Sequence, residues 1–369
     1  MTTASGSART QGPVRIVGAG LLGASIGLAL RALGVDVILT DISPSAVRLA
    51  VDYGAGRPQA EGDAPKLIVV CVPPDSTAQT VAAELSTYPD ALVTDVASVK
   101  LAPLGELQAM GADISRYVGS HPMAGRERGG AISARADLFV GRPWVIANHA
   151  GIADSRTADS VLEALALDLG AAPVELDAAE HDRSVALVSH VPQVISSLLA
   201  TRLLDASDAA VGLAGQGLRD TTRIADSQPE LWVQILGANS EAVVGILKQY
   251  RADLDGVIAA LGEPTAPGAL RAVADALANG NSGVARIPGK HGQAKRFSQL
   301  VVLVDDIPGQ LARLLTEIGS IGVNVEDLRL EHSPGAQFGL AEISVLPEAE
   351  VRLAAELNQR GWKIAGAQQ

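Results

Sequence analysis

Over the first half of the chain, short β-branched and aliphatic runs alternate with segments of helical period. Val14-Arg15-Ile16-Val17 leads into a cluster of glycines, residues 24–33 carry a helical pattern, and Gly34 ends it. Residues 35–40, Val-Asp-Val-Ile-Leu-Thr, make a second strand with Asp41 at its C-terminal end. Strand, helix and strand in such quick succession form a βαβ unit. Residues 67–72, 91–95, 116–119 and 144–146 are further strands, with helical patterns between several of them. This alternation predicts a doubly wound, mainly parallel α/β sheet covered on both faces.

The pattern changes near residue 178. From 179 to about 261 strand signals fade and helical runs such as 185–204 and 230–258 dominate, which predicts an all-helical domain. Residues 263–296 hold a short helical stretch and then a loose segment, Asn281-Ser282-Gly283 through Pro288-Gly289-Lys290-His291-Gly292-Gln293, with the composition of a linker. A third unit follows: strand 298–304, a turn Asp306-Ile307-Pro308-Gly309-Gln310, helix 311–321, strands 323–330 and 336–345, and helix 351–360. The order β-α-β-β-α fits a ferredoxin-like α+β module. The predicted organisation is therefore an α/β domain over 12–178, a helical domain over 179–280, a linker over 281–296 and an α+β module over 297–369.

Composition narrows the setting. A length of 369 residues suits two or three domains, and 47% hydrophobic against 3% aromatic residues predicts cores of Ala, Val, Leu and Ile. A net charge of -12 argues against nucleic acid or an anionic membrane as the main partner. It leaves room for an anionic small substrate, since one buried Arg sets the local field. The single cysteine, Cys71, lies in an apolar run and reads as a core residue, so no disulfide forms within the chain. The polar N-terminal segment lacks the apolar stretch of a secretory signal, and no uncharged apolar run reaches the roughly 18 residues of a membrane span. The expected setting is cytoplasmic and soluble.

Gly18-Ala19-Gly20-Leu21-Leu22-Gly23 stands between a strand and a helix, with an acid about 20 residues on, the context that a GxGxxG turn needs to bind a dinucleotide. Gly18 permits the tight turn, Gly20 lets the backbone approach a pyrophosphate, and Gly23 lets helix pack on strand. Leu21, Leu22 and Gly23 offer free N–H groups at the positive end of the helix. Asp41 would accept from a ribose 2′-OH and repel a 2′-phosphate, which favours NAD; Arg48, nearby, is what keeps NADP open. Val72 and Pro73, after the next buried strand, would line the cofactor crevice or simply form a structural turn.

Of the six histidines, His121 stands out, just past a predicted strand in Gly119-Ser120-His121-Pro122-Met123-Ala124-Gly125. An imidazole there could take a hydroxyl proton as hydride leaves the carbon; a structural loop histidine is the plainer reading. Ser98 could hold His121 or the substrate hydroxyl, and Lys100 could offset substrate charge, each equally readable as a cap or a solvated side chain. Arg219-Asp220-Thr221-Thr222-Arg223 reads as a carboxylate clamp or as a helical ion pair between Asp220 and Arg223. His190, in Ser189-His190-Val191-Pro192-Gln193, falls on an apolar helical face. No metal-ligand spacing and no Ser/His/Asp arrangement recurs.

The glycine turn, Asp95 to Lys100, Gly119 to Gly125, Glu180-His181-Asp182, Ser189 to Pro192 and Arg219 to Ala225 occur in the order seen in prephenate dehydrogenases, which the chain resembles over about residues 13–260. Residues 298–366 resemble an ACT domain, a small amino-acid-sensing module. The resemblance implies a Rossmann-type domain, NAD-dependent oxidation and decarboxylation of prephenate or arogenate toward tyrosine, and a homodimer formed by the helical domain. It implies His121 as the base, Ser98 on the reacting hydroxyl or on His121, Arg223 on a substrate carboxylate with Asp220 orienting it, His190 lining the site and Glu127 at its mouth. Many relatives carry a second histidine where this chain has Gln193, near the substrate side chain, so the choice between keto and amino substrate stays open. The ACT resemblance implies an aromatic amino-acid effector near Ile307, Pro308, Gly309, Gln310 and Asn324. A 2-hydroxy-acid dehydrogenase with an ACT tail would place its dinucleotide domain mid-chain, unlike a glycine turn at residue 18; a non-catalytic nucleotide sensor would tolerate loss of His121 and Arg223.

Overall fold

A computed structural model of the protein describes residues 7–125, 129–287, 297–332 and 338–365. It divides into two compact units, Met1–Thr201 with Ile224–Gln249, and Arg202–Arg223 with Tyr250–Gln369.

In the first unit the elements run β1 (Val14–Val17), α1 (Leu21–Ala32), β2 (Val37–Thr40), α2 (Pro44–Asp52), β3 (Arg57–Pro58), β4 (Leu67–Val70), α3 (Pro74–Thr87), β5 (Leu92–Asp95) and α4 (Leu101–Ala109). Strands β3-β2-β1-β4-β5 form a parallel sheet in that order. β1 and β4 are buried along their whole length, as continuous apolar runs in a two-sided parallel sheet must be. Because all strands are parallel, their C-terminal ends share one edge, where the strand order reverses and ligands bind in open α/β sheets.

The sheet is smaller than the sequence predicts. Residues 116–119 are not its next strand. Ile114–Arg116 is a single tight turn, and the strand is β6 (Gly119–Pro122), which pairs antiparallel with β7 (Pro143–Asn148). After α5 (Ser155–Asp168), β8 (Ala172–Asp177) lies parallel to β7, so β6-β7-β8 is a separate sheet. One bridge, Val93 to Tyr117, joins the two regions. Gly, Ser, His and Pro carry little β-propensity, so pairing with β7 rather than local preference makes β6 a strand.

Helix α6 (Ala178–Val185), a wide π-type turn over Ala186–His190 and α7 (Val191–Thr201) make one 24-residue helix. By length and composition alone it could cross a membrane, although it carries His181, Asp182 and Arg183. Beyond it come α8 (Asp208–Gly212) and α9 (Gln216–Thr222) of the second unit, then α10 (Pro229–Ala238), α11 (Ser240–Gly262) and α12 (Ala269–Val284). α12 continues through Asn281-Ser282-Gly283, which the composition had assigned to the linker; residues 288–296 lie outside the described ones.

The C-terminal module contains β9 (Ser298–Asp305), α13 (Gln310–Ile321), β10 (Asp327–His332), β11 (Phe338–Val345), α14 (Pro347–Gln359) and β12 (Lys363–Ala365). Its antiparallel sheet has the order β10-β11-β9-β12, a β-α-β-β-α-β topology of the ferredoxin-like kind, with one strand more than the sequence predicts. Val302, Ile343, Leu314, Ile318, Leu353 and Leu357 form its core.

Candidate active site

The glycine turn leaves the C-terminal end of β1. Gly18 has φ +105° and donates to Thr40 O at 2.8 Å; a Cβ on it would lie 2.3 Å from the Cys71 carbonyl oxygen. A Cβ on Gly23 would lie 1.9 Å from Gly18 O. Gly20 differs, since nothing stands within 4 Å of where its Cβ would be. Two glycines therefore serve the fold, and the third leaves an empty cradle in front of the first turn of α1, formed by Leu21, Leu22 and Gly23. N–H groups there suit a pyrophosphate.

Asp41 follows β2. Its Oδ2 accepts from Ala19 N and its Oδ1 from Ser43 N, both at 2.8 Å, so backbone amides on two sides hold the carboxylate rigid. Ser43 in turn caps α2. Each carboxylate oxygen keeps a second lone pair for a ribose hydroxyl. Val72 and Pro73 lie just past β4, and Pro73 precedes the first turn of α3. These residues fit a dinucleotide. Cys71 is partly buried, and burial pushes its thiol up, against a role as nucleophile.

His121 is inside β6, not past a strand end, and is 8% exposed. Its Nδ1 lies 2.8 Å from Nε2 of His181, the rings meeting edge to face at 5.1 Å. His181 is fully buried, and its Nδ1 lies 2.7 Å from Asp182 Oδ1. Asp182 Oδ1 and Oδ2 accept from the amides of Lys100 at 2.8 Å and Leu101 at 2.9 Å, where α4 begins. Burial first, then His181, Lys100 and His190, hold His121 well below the usual imidazole pKa, so it is neutral near pH 7.

Sequence reasoning gave no role to His181 or Asp182. Glu180-His181-Asp182 entered only as one of the segments that carry the family resemblance, and contacts with α4, β6 and Asn239 join the two residues to the site. An adjacent His-Asp pair, just after the helix-capping Asp177, was the available signal.

Lys100 is not where a substrate-binding cation would be. It is 1% exposed; its Nζ pairs with Asp95 and donates to Ser120 O at 2.7 Å. Tyr117 donates to the other Asp95 oxygen at 2.7 Å. The ammonium is already neutralised, and it holds the backbone immediately before His121. Gly119 makes room for it, since a Cβ there would meet Lys100 Cδ at 2.9 Å. Ser98, half-buried between β5 and α4, makes no side-chain hydrogen bond among the described residues; the Nδ1 partner of His121 is His181.

His190 is 1% exposed, 3.1 Å from Asn239 Nδ2, which also donates to Asp182 O at 2.8 Å. Burial pushes His190 down to about 4 against the pull of Asp182. In a regular α-helix at about 100° per residue, His181 and His190 would face opposite ways. The wide turn Ala186–His190 shifts that register, and Asn239 ties His190 to the carbonyl of Asp182. One turn further on, Gln193 is 6% exposed and its Nε2 donates to Ser227 Oγ at 2.8 Å.

Arg223 and Asp220 are both exposed in the second unit. The expected pairing between them is not formed: Asp220 accepts from Gln216 Nε2 at 2.8 Å, one helical turn back. In this single chain nothing draws the two side chains out of solvent. Glu127 lies outside the described residues. In the C-terminal module Ile307 is 60% exposed, Gly309 has φ +92° before α13, Gln310 begins that helix, and Asn324 donates to Glu326 at 2.9 Å. No cluster of metal-ligating side chains forms among the described residues.

The glycine cradle, the acid held after β2 and the buried neutral imidazole together define a dinucleotide-dependent dehydrogenase of Rossmann type. The family model of the prephenate dehydrogenase nucleotide-binding domain matches residues 26–172, and that of the prephenate dehydrogenase dimerization domain matches residues 177–273. The chain belongs to the prephenate dehydrogenase family. A Streptomyces niveus protein described as "Probable prephenate dehydrogenase NovF" is 37% identical over 356 residues, covering 94% of this chain and 98% of that protein. The crystal structure of Synechocystis arogenate dehydrogenase aligns with a TM-score of 0.60 at 29% identity, over 73% of this chain and 99% of that one. The prephenate dehydrogenase of A. aeolicus, whose structure holds hydroxyphenyl propionate and NAD+, shares the fold with a TM-score of 0.63 at 24% identity, over 73% and 97% of the two chains.

Proposed function

We propose that the protein catalyses the NAD-dependent oxidative decarboxylation of prephenate to 4-hydroxyphenylpyruvate in tyrosine biosynthesis. The observation that carries the reading is His121, buried and neutral in the unit that also carries the dinucleotide cradle, with no protein partner at Nε2 among the described residues. NAD, when bound, supplies the hydride acceptor. His121 Nε2 takes the proton of the substrate hydroxyl as the carbon–oxygen double bond forms. The ring carboxylate then leaves as CO2, its bonding electrons complete the aromatic ring, and the oxygen regains a proton as the phenol. Ser98 would hold the hydroxyl, and His190 and Gln193 would line the substrate side.

Arg223, in the turn just past α9, would grip a substrate carboxylate, with Asp220 orienting it. Arg223→Ala should raise KM mainly, by an amount corresponding to about 2–5 kcal/mol if the pair is buried with substrate. Arogenate is the second reading, since the amide of Gln193 both donates and accepts and so suits either substrate. Hydride-transfer assays with prephenate and with arogenate, each with NAD and NADP, decide substrate and cofactor; inactivity with both substrates would remove the assignment.

The reading includes a cytoplasmic homodimer. Leu187, Val188, Leu198 and Leu199 on the helix 178–201 are exposed in the single chain and fit an apolar face that a dimerization domain buries. Sedimentation at assay concentration tests this. It also includes an ACT role for residues 297–369, with an aromatic amino acid bound near Ile307, Pro308, Gly309, Gln310 and Asn324. Tyrosine should inhibit the full chain, and Asn324→Ala should weaken that inhibition while basal turnover holds.

A further inference from the structure

We propose that His181 and Asp182 are positioning residues that fix the proton of His121 on Nδ1 and so make Nε2 the basic atom. The inference rests on His121 being the base of the proposed reaction.

The proton accounting starts at Asp182. Both of its oxygens receive backbone amides, from Lys100 and Leu101, and an amide N–H can only donate. The carboxyl also sits at the positive end of α4, which favours its anion. Both features favour the carboxylate form of Asp182, and beside a carboxylate the 2.7 Å contact places a proton on His181 Nδ1. A neutral His181 with that proton presents a lone pair at Nε2. The 2.8 Å contact with His121 is then a hydrogen bond in which His121 Nδ1 donates. Only Nε2 of His121 remains to accept.

The same chain acts during turnover. When Nε2 takes the substrate proton, His121 becomes an imidazolium whose Nδ1–H already points at His181, and through it at Asp182. The compensating charge sits two hydrogen bonds away, on a carboxylate that the fold ionises before substrate arrives. A partner that fixes tautomer and ring orientation from behind is the role of the orienting acid in nucleophile–base pairs and of outer-shell groups in metal sites. Here a second histidine extends that arrangement by one ring. Lys100 completes it from both sides: its amide holds Asp182, and its ammonium holds the carbonyl of Ser120, the residue before His121.

Histidine-selective NMR of the full-length protein tests the tautomer directly, with His121 assigned by comparison with His121→Asn. The expected spectrum shows a protonated Nδ1 and a bare Nε2 on His121; the reverse tautomer overturns the proposal. In kinetics, His181→Leu should lower kcat by about 100-fold or more while dinucleotide affinity stays within about twofold. His181→Gln, whose carbonyl can still accept from Nδ1, should restore the tautomer and part of kcat. A His181→Leu enzyme that binds dinucleotide and turns over normally, beside an inactive His121→Asn enzyme, overturns the relay and leaves the base in place. Normal turnover in His121→Asn overturns the base itself. If His181→Leu does not fold, the wild-type spectrum and the His181→Gln variant still decide.

Discussion

Lys100 and Asp95 form an ion pair with side-chain exposures of 1% and 0%, in the middle of the elements that hold His121. Breaking a buried pair by removing one partner leaves an uncompensated charge and costs about 3–5 kcal/mol. Lys100→Met should therefore destabilise by that order, read from denaturant midpoints. Its effect on KM for substrate should be small in whatever fraction remains folded. A large KM effect with unchanged stability would restore the substrate-binding role that the sequence suggested.

The three glycines of the turn should separate in their phenotypes. Gly20→Ala adds a methyl where nothing stands within 4 Å, and φ is -77°, so thermal stability should hold while dinucleotide affinity falls. Gly23→Ala places a methyl 1.9 Å from a carbonyl oxygen and should lower stability itself. Calorimetry with and without NAD reads both. Equal Tm losses in the two variants would deny Gly20 its place against the pyrophosphate.

Asp41 braces Ala19 and Ser43 and, in the proposed complex, the ribose. Asp41→Ala should weaken NAD by the loss of charged hydrogen bonds, roughly 1.5–3 kcal/mol or about 10- to 150-fold. NADP should lose less, because the repulsion of its phosphate goes too. An unchanged ratio of NAD to NADP affinity would mean that selectivity is set elsewhere.

Stability should fall as pH drops below the ordinary histidine range. His190 has a folded pKa of about 4 against a reference near 6.5, and His121 is lowered in the same direction. Between those values the unfolded chain binds protons that the folded chain refuses, so unfolding free energy rises with pH across the window and levels off above it. His190 alone corresponds to roughly 3 kcal/mol lost by pH 4. Urea unfolding at pH 7, 6 and 5 measures this, and a flat profile would mean that these rings are not held neutral. For the same reason the acid limb of turnover should lie below the pKa of a free imidazole.

Much of the dinucleotide half was legible because its signals are local. β1, the glycine turn and β2 follow from apolar runs and from residues that only a turn tolerates. β6 was misplaced by about three residues because Gly-Ser-His-Pro has no strand signature of its own. β8 went unseen behind Pro173 and its acids. His121 was found through its position, but the partner of its Nδ1 was not. His181 joins it across 60 residues of sequence, by burial that periodicity does not encode. Lys100 misled for the converse reason: a lysine after a strand end looks solvated until Asp95 and Ser120 close around it.

Asn239 gives the site an order of assembly. The parallel sheet is complete once Asp95 has been made, whereas Asn239, which joins Asp182 to His190, comes far later in the chain. At about 5–20 residues per second, the nascent chain spends on the order of ten seconds between the two. During that interval the emerging protein would already own a nucleotide cradle while its histidines lacked their final brace, so cofactor binding can precede chemical competence within the life of a single molecule.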